Sequence, residues 1–116
     1  MANPVTWFEI VGSDGAALQK FYGDLFGWEV KADNPMNYGM IDAQDGKGIG
    51  GGIGAAQGGP GHVTVYVEVD DPQAYLDKAE QLGGRTIVGV TEIPEMVTFG
   101  LFADPKGHVV GVVKGA

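Results

Sequence analysis

The sequence contains no cysteine, and this absence excludes disulfides, thiolate metal ligands and a cysteine nucleophile. Basic residues are also scarce, since seven Lys and Arg stand against 15 Asp and Glu, for a net charge of −8. A surface of this charge repels phosphate backbones and favours neutral or cationic ligands, so we expect no nucleic-acid partner. No apolar run approaches the roughly 18–20 residues of a membrane span, and none resembles a signal peptide. These absences predict a cytoplasmic protein without membrane contact.

The composition is otherwise that of a compact globular domain with many tight turns. The chain has 116 residues, of which 44% are apolar and 21 are glycine. This length suits one domain that can bury a core, and the glycines follow neither a collagen period nor a polar low-complexity tract.

The first half of the sequence alternates and then changes to helical spacing. Residues 5–11 alternate as a strand does, with Trp7 and Glu9 on one face. Apolar residues then recur at helical spacing, after Ser13 or Asp14 as a cap and up to Gly27 as the end. Three short strands are predicted next, over residues 28–32, 38–43 and 48–55.

The second half repeats this order. It begins with a strand, "HVTVYVEV", and continues with a helix that has an Asp cap and Pro72 at an early position. Strands follow at 85–93, 96–104 and 108–114, and the residues 104–107, "DPKG", are typical of a tight turn. The predicted fold is α+β: two βαβββ modules, about 1–56 and 61–116, joined by a Gly-rich linker, form a cup-shaped sheet with helices on its outer face.

Three motifs carry a resemblance to a known superfamily. They are "WFEI…LQKFYGDLFGWEV", "VDDPQAYLDKAEQLGGR" and "FADPKGHVVGVV", and they occur in the expected order over nearly the whole chain. With them the chain resembles the vicinal oxygen chelate superfamily, which includes glyoxalase I, extradiol dioxygenases and bleomycin-resistance proteins. The resemblance implies a homodimer with pockets at the subunit interface. It does not select an activity, because this scaffold hosts isomerases, dioxygenases, thiol transferases and non-catalytic drug binders.

The positions where metal-binding relatives place His or Glu are occupied here by other residues. The resemblance maps these positions onto Trp7, Gly51, Thr64 and Gly111. A catalytic divalent site wants about three protein ligands, usually His with Asp or Glu. The sequence has only two histidines, His62 and His108, both near predicted strand ends. We therefore predict no metal, no cofactor and a metal-less branch of the superfamily.

The predicted cup face provides candidate ligand-binding residues. Trp7 would stack on a flat ligand or be buried between modules, and Glu9 would accept a hydrogen bond or stand solvated at the rim. In "HVTVYVEV" the valines occupy one face, and the histidine, threonine, tyrosine and glutamate occupy the cup face. The glycines of "GIGGGIG" would leave open volume in the wall, and no phosphate-loop context surrounds them. The predicted ligand-binding residues are Trp7, Glu9, Tyr38, Met40, Gly51, His62, Thr64, Tyr66, Met96 and Gly111.

Two functions of different class fit this pattern best. The first is a non-catalytic protein that binds and sequesters an aromatic natural-product antibiotic, as bleomycin-resistance proteins do. The alternative is a metal-independent isomerase, hydratase or cyclase that moves protons with Glu9, Tyr66 and either His62 or Glu68. A metal-dependent lyase or dioxygenase is disfavoured by the missing ligands.

Overall fold

The structure is a computed structural model that describes residues 2–56 and 60–115. Most of the predicted linker, residues 57–59, lies outside the described residues. Neither helix of the described chain is long and apolar enough to cross a membrane. The described elements are β1 (Val5–Gly12), α1 (Gly15–Phe26), β2 (Gly39–Ile41), β3 (Gly50–Ala55), β4 (His62–Val69), α2 (Pro72–Gln81), β5 (Arg85–Ile93), β6 (Val97–Ala103) and β7 (Val109–Lys114).

The chain divides into two compact units with related strand arrangements. The first unit holds residues 7–64, and the second holds residues 1–6 and 65–116. In the first unit, β1 pairs in parallel with β3, which pairs antiparallel with β2. In the second unit, β4 pairs in parallel with β7, which pairs antiparallel with β6, and β6 with β5. Helix α1 packs on β3, and α2 packs on β5, β6 and β7. The predicted α+β class and the repeated order of elements are confirmed.

One predicted strand is reduced to a single bridge. Of residues 28–32, the backbone of Lys31 alone pairs with Met40, with N···O distances of 3.0 and 2.9 Å. The side chain of Trp28 packs among the rings of the helix instead, 5.0 Å from Phe26 and 6.3 Å from Tyr22 between centroids. Trp28 thus belongs to the aromatic cluster beside α1, and only Lys31 of this segment pairs with β2.

The helix ends follow the capping chemistry that the sequence indicates. The Asp14 carboxylate accepts a hydrogen bond from the Ala17 N–H at 3.0 Å, and Asp71 does the same for Ala74 at 3.4 Å. Gly27 ends α1 in the left-handed conformation, at φ 72°, and its N–H binds the Gly23 carbonyl. Each helix is thereby fixed at its start over the sheet of its own unit.

The second unit has a small core between α2 and the sheet. Val69, Leu76 and Val112 are its buried members, and Leu76 has no exposed surface.

At the start of β4, Val63 is 73% exposed while Thr64 is 5% exposed. The buried side at the start of β4 is therefore the face that the sequence assigned to an open cup.

Candidate functional site

Four of the predicted residues form one hydrogen-bonded cluster in the first unit, which we call the Glu9 network. The Trp7 indole N–H donates to the Tyr38 hydroxyl at 3.0 Å, and that hydroxyl donates to Glu9 Oε2 at 2.9 Å. His62 Nε2 lies 3.3 Å from Glu9 Oε1. The carboxylate of Glu9 is therefore approached on both oxygens by side chains that the sequence separates by 29 and 53 positions.

The strand pleat and one loop position these side chains. Trp7 and Glu9 share a face of β1 by alternation, while Phe8 points the other way and packs 5.6 Å from Trp28. Tyr38 lies just before β2 and is held by Asn34, whose amide donates to the Tyr38 carbonyl at 2.7 Å and accepts from its N–H at 3.0 Å. The two hydrogen bonds from Asn34 therefore hold the backbone of this loop, and the loop places the Tyr38 ring against Glu9.

The glycines of β3 make room for this arrangement. A Cβ added at Gly52 would overlap the Tyr38 ring, and one added at Gly54 would lie 2.9 Å from it. The predicted open volume is therefore wrong at these positions, because the Tyr38 ring occupies it. Gly51 belongs to the opposite face, where an added Cβ would overlap the Phe8 ring. The residue beside Glu9 in the β1–β3 register is Gly52, so Gly51 lies on the face opposite to Glu9, and its role in ligand binding stays a prediction.

Burial and charge act together on Tyr38. Burial of the phenol is the main cause that raises its pKa, the negative charge of Glu9 adds to it, and the hydrogen bond from Trp7 opposes it. The Tyr38 hydroxyl therefore stays protonated and remains a donor to Glu9 over the physiological range.

This shift gives a testable pH dependence. A near-ultraviolet titration of the wild type minus that of Tyr38→Phe should show the missing phenol ionising above pH ~10, the value of free tyrosine. Glu9→Gln should move that step to lower pH, because it removes a negative charge. The contribution of Tyr38 to stability is present below pH ~10 and lost as pH rises further, because the unfolded phenol ionises first. A step at or below the free value in the wild type would contradict the buried hydroxyl.

The network offers two kinds of chemistry to a small molecule. The Glu9 side chain is 15% exposed and that of His62 is 31% exposed, so both are within reach of solvent. A carboxylate in this setting accepts hydrogen bonds from ligand O–H or N–H groups. A carboxylate beside an imidazole also orients the ring and its tautomer, which is the arrangement of a general base.

The other predicted residues lie in different settings. Met40 pairs with Gly52 across β2 and β3 and is 39% exposed, so it lies on the face of Tyr38. Thr64 is in the first unit but buried. In the second unit, Met96 lies in the turn after β5 and is 53% exposed.

Tyr66 and Gly111 also belong to the second unit, where they fill each other's space. They pair across β4 and β7, and a Cβ at Gly111 would overlap the Tyr66 ring. Tyr66 is 6% exposed and meets Phe99 edge to face at 6.2 Å. The tyrosine ring is therefore packed over the glycine, and the role of these two residues in ligand binding stays a prediction.

Equivalent cross-strand rows of the two units hold chemically different residues. In the first unit, the cross-strand row is Glu9, Gly52 and Met40, and in the second unit the same positions hold Tyr66, Gly111 and Leu101. In both rows the central glycine gives space to a neighbouring aromatic ring. The row of the first unit contains a carboxylate with two side-chain partners, and the row of the second unit is filled by a tyrosine and apolar side chains.

The donor set does not fit the metal centre found in parts of the superfamily. Within residues 2–56 and 60–115, no three His, Cys, Asp or Glu side chains are grouped so that they could hold an ion. Glu9 and His62 supply two donors that contact each other.

Sequence reasoning missed two residues of the site, Asn34 and Gly52. The dipeptide Asn34–Pro35 is a turn signal, and it could have indicated that Asn34 hydrogen-bonds to the backbone near Tyr38. Gly52 could have been found only from the strand register, because one glycine of "GIGGGIG" cannot be distinguished from the next by its type.

Comparison with known proteins places the fold and the family. Methylmalonyl-CoA epimerase from Mycobacterium tuberculosis superposes with a TM-score of 0.68 at 13% identity, over 97% of this chain and 87% of that one. A glyoxalase/bleomycin resistance protein/dioxygenase superfamily member from Vibrio splendidus has a TM-score of 0.60 at 18% identity, over 98% of this chain and 100% of that one. These likenesses show the vicinal oxygen chelate fold. The chain belongs to the family of glyoxalase-like domains, whose model matches residues 9–113.

Curated relatives are about twice as long as this chain. CFP32 of Mycobacterium tuberculosis, provisionally named a glyoxylase, is 30% identical over 91% of this chain and 43% of its own length. The anthracycline biosynthesis protein DnrV of Streptomyces peucetius is 30% identical over 95% of this chain and 48% of its own length. The chain thus spans less than half of each of these relatives.

Proposed function

We propose that the first unit binds an aromatic small molecule through the Glu9 network and holds it without chemical change. The observation that carries this proposal is the Glu9 carboxylate, fixed by Tyr38 and approached by His62 while still open to solvent. Trp7, hydrogen-bonded into the same cluster, supplies an aromatic surface beside the carboxylate. A polar anchor next to an aromatic wall is the usual composition of a site for small organic ligands.

Charge and the names of relatives support the proposed ligand class. A net charge of −8 and a carboxylate acceptor favour a neutral or cationic molecule with O–H or N–H donors. DnrV is named for anthracycline biosynthesis, which supports a polycyclic aromatic natural product as the ligand. A sequestering role, a cytoplasmic location, a homodimer and independence from metals all stay predictions.

The test is a binding measurement with a hydroxyanthraquinone and with daunorubicin as probes. Calorimetry should show saturable binding, and ligand at 100 times its dissociation constant should stabilise the fold by ~2.7 kcal/mol. Glu9→Gln should weaken binding about tenfold or more, since a hydrogen bond to a charged group is lost. Glu92→Gln, an exposed carboxylate of β5, is the matched control and should bind as the wild type does. Absence of binding by both probes, or equal binding by Glu9→Gln, would reject the proposal for this ligand class.

A second candidate, metal-independent proton transfer, is favoured by the 3.3 Å contact between His62 and Glu9. In this alternative, Glu9 orients the imidazole and His62 takes a proton from the bound molecule. Recovery of the probe by chromatography after incubation in D2O separates the two functions. Probe recovered unchanged and without deuterium at carbon supports sequestration. Conversion, or deuterium at carbon, that is lost in His62→Gln while binding is kept supports the enzyme.

A further inference from the structure

An apolar groove lies beneath the C-terminal half of α2, in the second unit. Its volume is about 380 Å³. It is lined on the sheet side by Val67, Phe102 and Val112, and on the helix side by Tyr75, Ala79 and Leu82.

The groove exists because small and outward-lying residues cover the sheet incompletely. Ala79 contributes only a methyl group, and Leu82 at the end of the helix is 70% exposed. Val67, Tyr75 and Phe102 are consequently only partly buried around the core of the unit. Covering this apolar surface is favourable, and the volume is at the lower end of the range for small-ligand pockets.

The charged residues on the groove wall indicate which charge a bound molecule should carry. Lys78 and Asp104 both line it. Asp104 is already engaged: its Oδ1 accepts the N–H groups of Lys106 and His108 at 2.8 and 3.0 Å, and its Oδ2 lies 3.0 Å from His108 Nδ1. Within residues 2–56 and 60–115, Lys78 takes part in none of the ion pairs. The charge available to a guest is therefore the ammonium of Lys78.

We propose that this groove is a second ligand site, which takes a small amphipathic monocarboxylate, aliphatic or aromatic. The apolar body lies between α2 and the sheet, and the carboxylate pairs with the ammonium of Lys78. The site uses no side chain of the Glu9 network, so it stands independently of the function proposed for the first unit.

The probe is sodium octanoate, with octan-1-ol and octylamine as matched compounds of the other charge states. Amide chemical shifts in a heteronuclear NMR titration should move at Ala79, Leu82 and Phe102. A molecule of this size is expected to bind with a dissociation constant on the order of 1 mM. Octanoate should bind more tightly than octylamine, and Lys78→Gln should weaken octanoate by about two- to fivefold, as for an exposed ion pair, while octan-1-ol is unaffected.

Two further variants keep the outcome decisive. Ala79→Leu fills the groove and should abolish octanoate binding, and Ala17→Leu, an exposed alanine of α1, is its matched control. Leu82→Asp, at a position with 70% exposure, keeps the fold and places a repelling charge at the groove. The proposal is overturned if Ala79→Leu binds as the wild type does, if octylamine binds as tightly as octanoate, or if the shifts occur at Glu9 and Tyr38 instead.

Discussion

Replacing Leu76 with alanine is expected to lower the free energy of unfolding by about 2–5 kcal/mol. Leu76 is completely buried and, with Val69 and Val112, forms the core of the second unit. It also packs over Gly100, where an added Cβ would lie 2.9 Å from its Cδ1. Truncation leaves a cavity that a sheet and a helix cannot close without losing their hydrogen bonds. Thermal unfolding should show the midpoint falling by roughly 10 °C or more.

The control for this prediction comes from the same helix segment. Leu82→Ala removes an identical side chain that is 70% exposed, and it should change stability by no more than ~0.5 kcal/mol. Equal losses in the two variants would mean that α2 does not pack on the sheet as described.

Gly52→Ala is expected to have the second largest effect, and this effect falls on the Glu9 network. The added methyl group would overlap the outer end of the Tyr38 ring. Because the colliding atoms belong to the far end of a side chain, the ring should swing away while the strand stays in place. We expect a loss of about 1–3 kcal/mol in stability, as is usual for overpacking. The Tyr38 hydroxyl would lose Glu9 and Trp7, so its pKa should fall and binding of the anthraquinone probe should weaken.

The matched control is Gly89→Ala, in β5. An added Cβ at Gly89 meets nothing within 4 Å, so this variant should be neutral or stabilised by up to ~1 kcal/mol. Unchanged probe binding by Gly52→Ala would show that ligand binding does not need Tyr38, and that it depends on other residues of the Glu9 network.

The sequence predicted the fold far better than it predicted the surroundings of the candidate site. Helix caps at Asp14 and Asp71 and the change from alternating to helical spacing are local signals, and each is confirmed. The strand predicted over 28–32 is wrong apart from one bridge: Trp28 packs on the nearby rings of Tyr22 and Phe26 and on Phe8 of β1, and alternation of residue types does not record this packing.

The candidate site was predicted only in part, because it depends on contacts between residues that are far apart in the sequence. Trp7 and Glu9 follow from strand alternation, but their meeting with Tyr38 and His62 depends on long-range contacts. Which glycine of β3 lies beside Glu9 depends on the register, because a shift of one residue along a strand moves every side chain to the opposite face; Gly52 takes this position, and Gly51 does not. Tyr66 was placed in an open wall because sequence cannot show that its ring packs over Gly111.

Because Trp7 is hydrogen-bonded to Tyr38, the intrinsic fluorescence of Trp7 should report on the Glu9 network. The sequence has two tryptophans, and Trp28 lies in the aromatic cluster beside α1. Indole emission depends on the polarity around the ring and on the partner of its N–H. A Trp28→Phe variant would therefore leave a single fluorophore, bonded directly into the Glu9 network. Its emission would report occupancy or rearrangement of that cluster in real time, without an attached label.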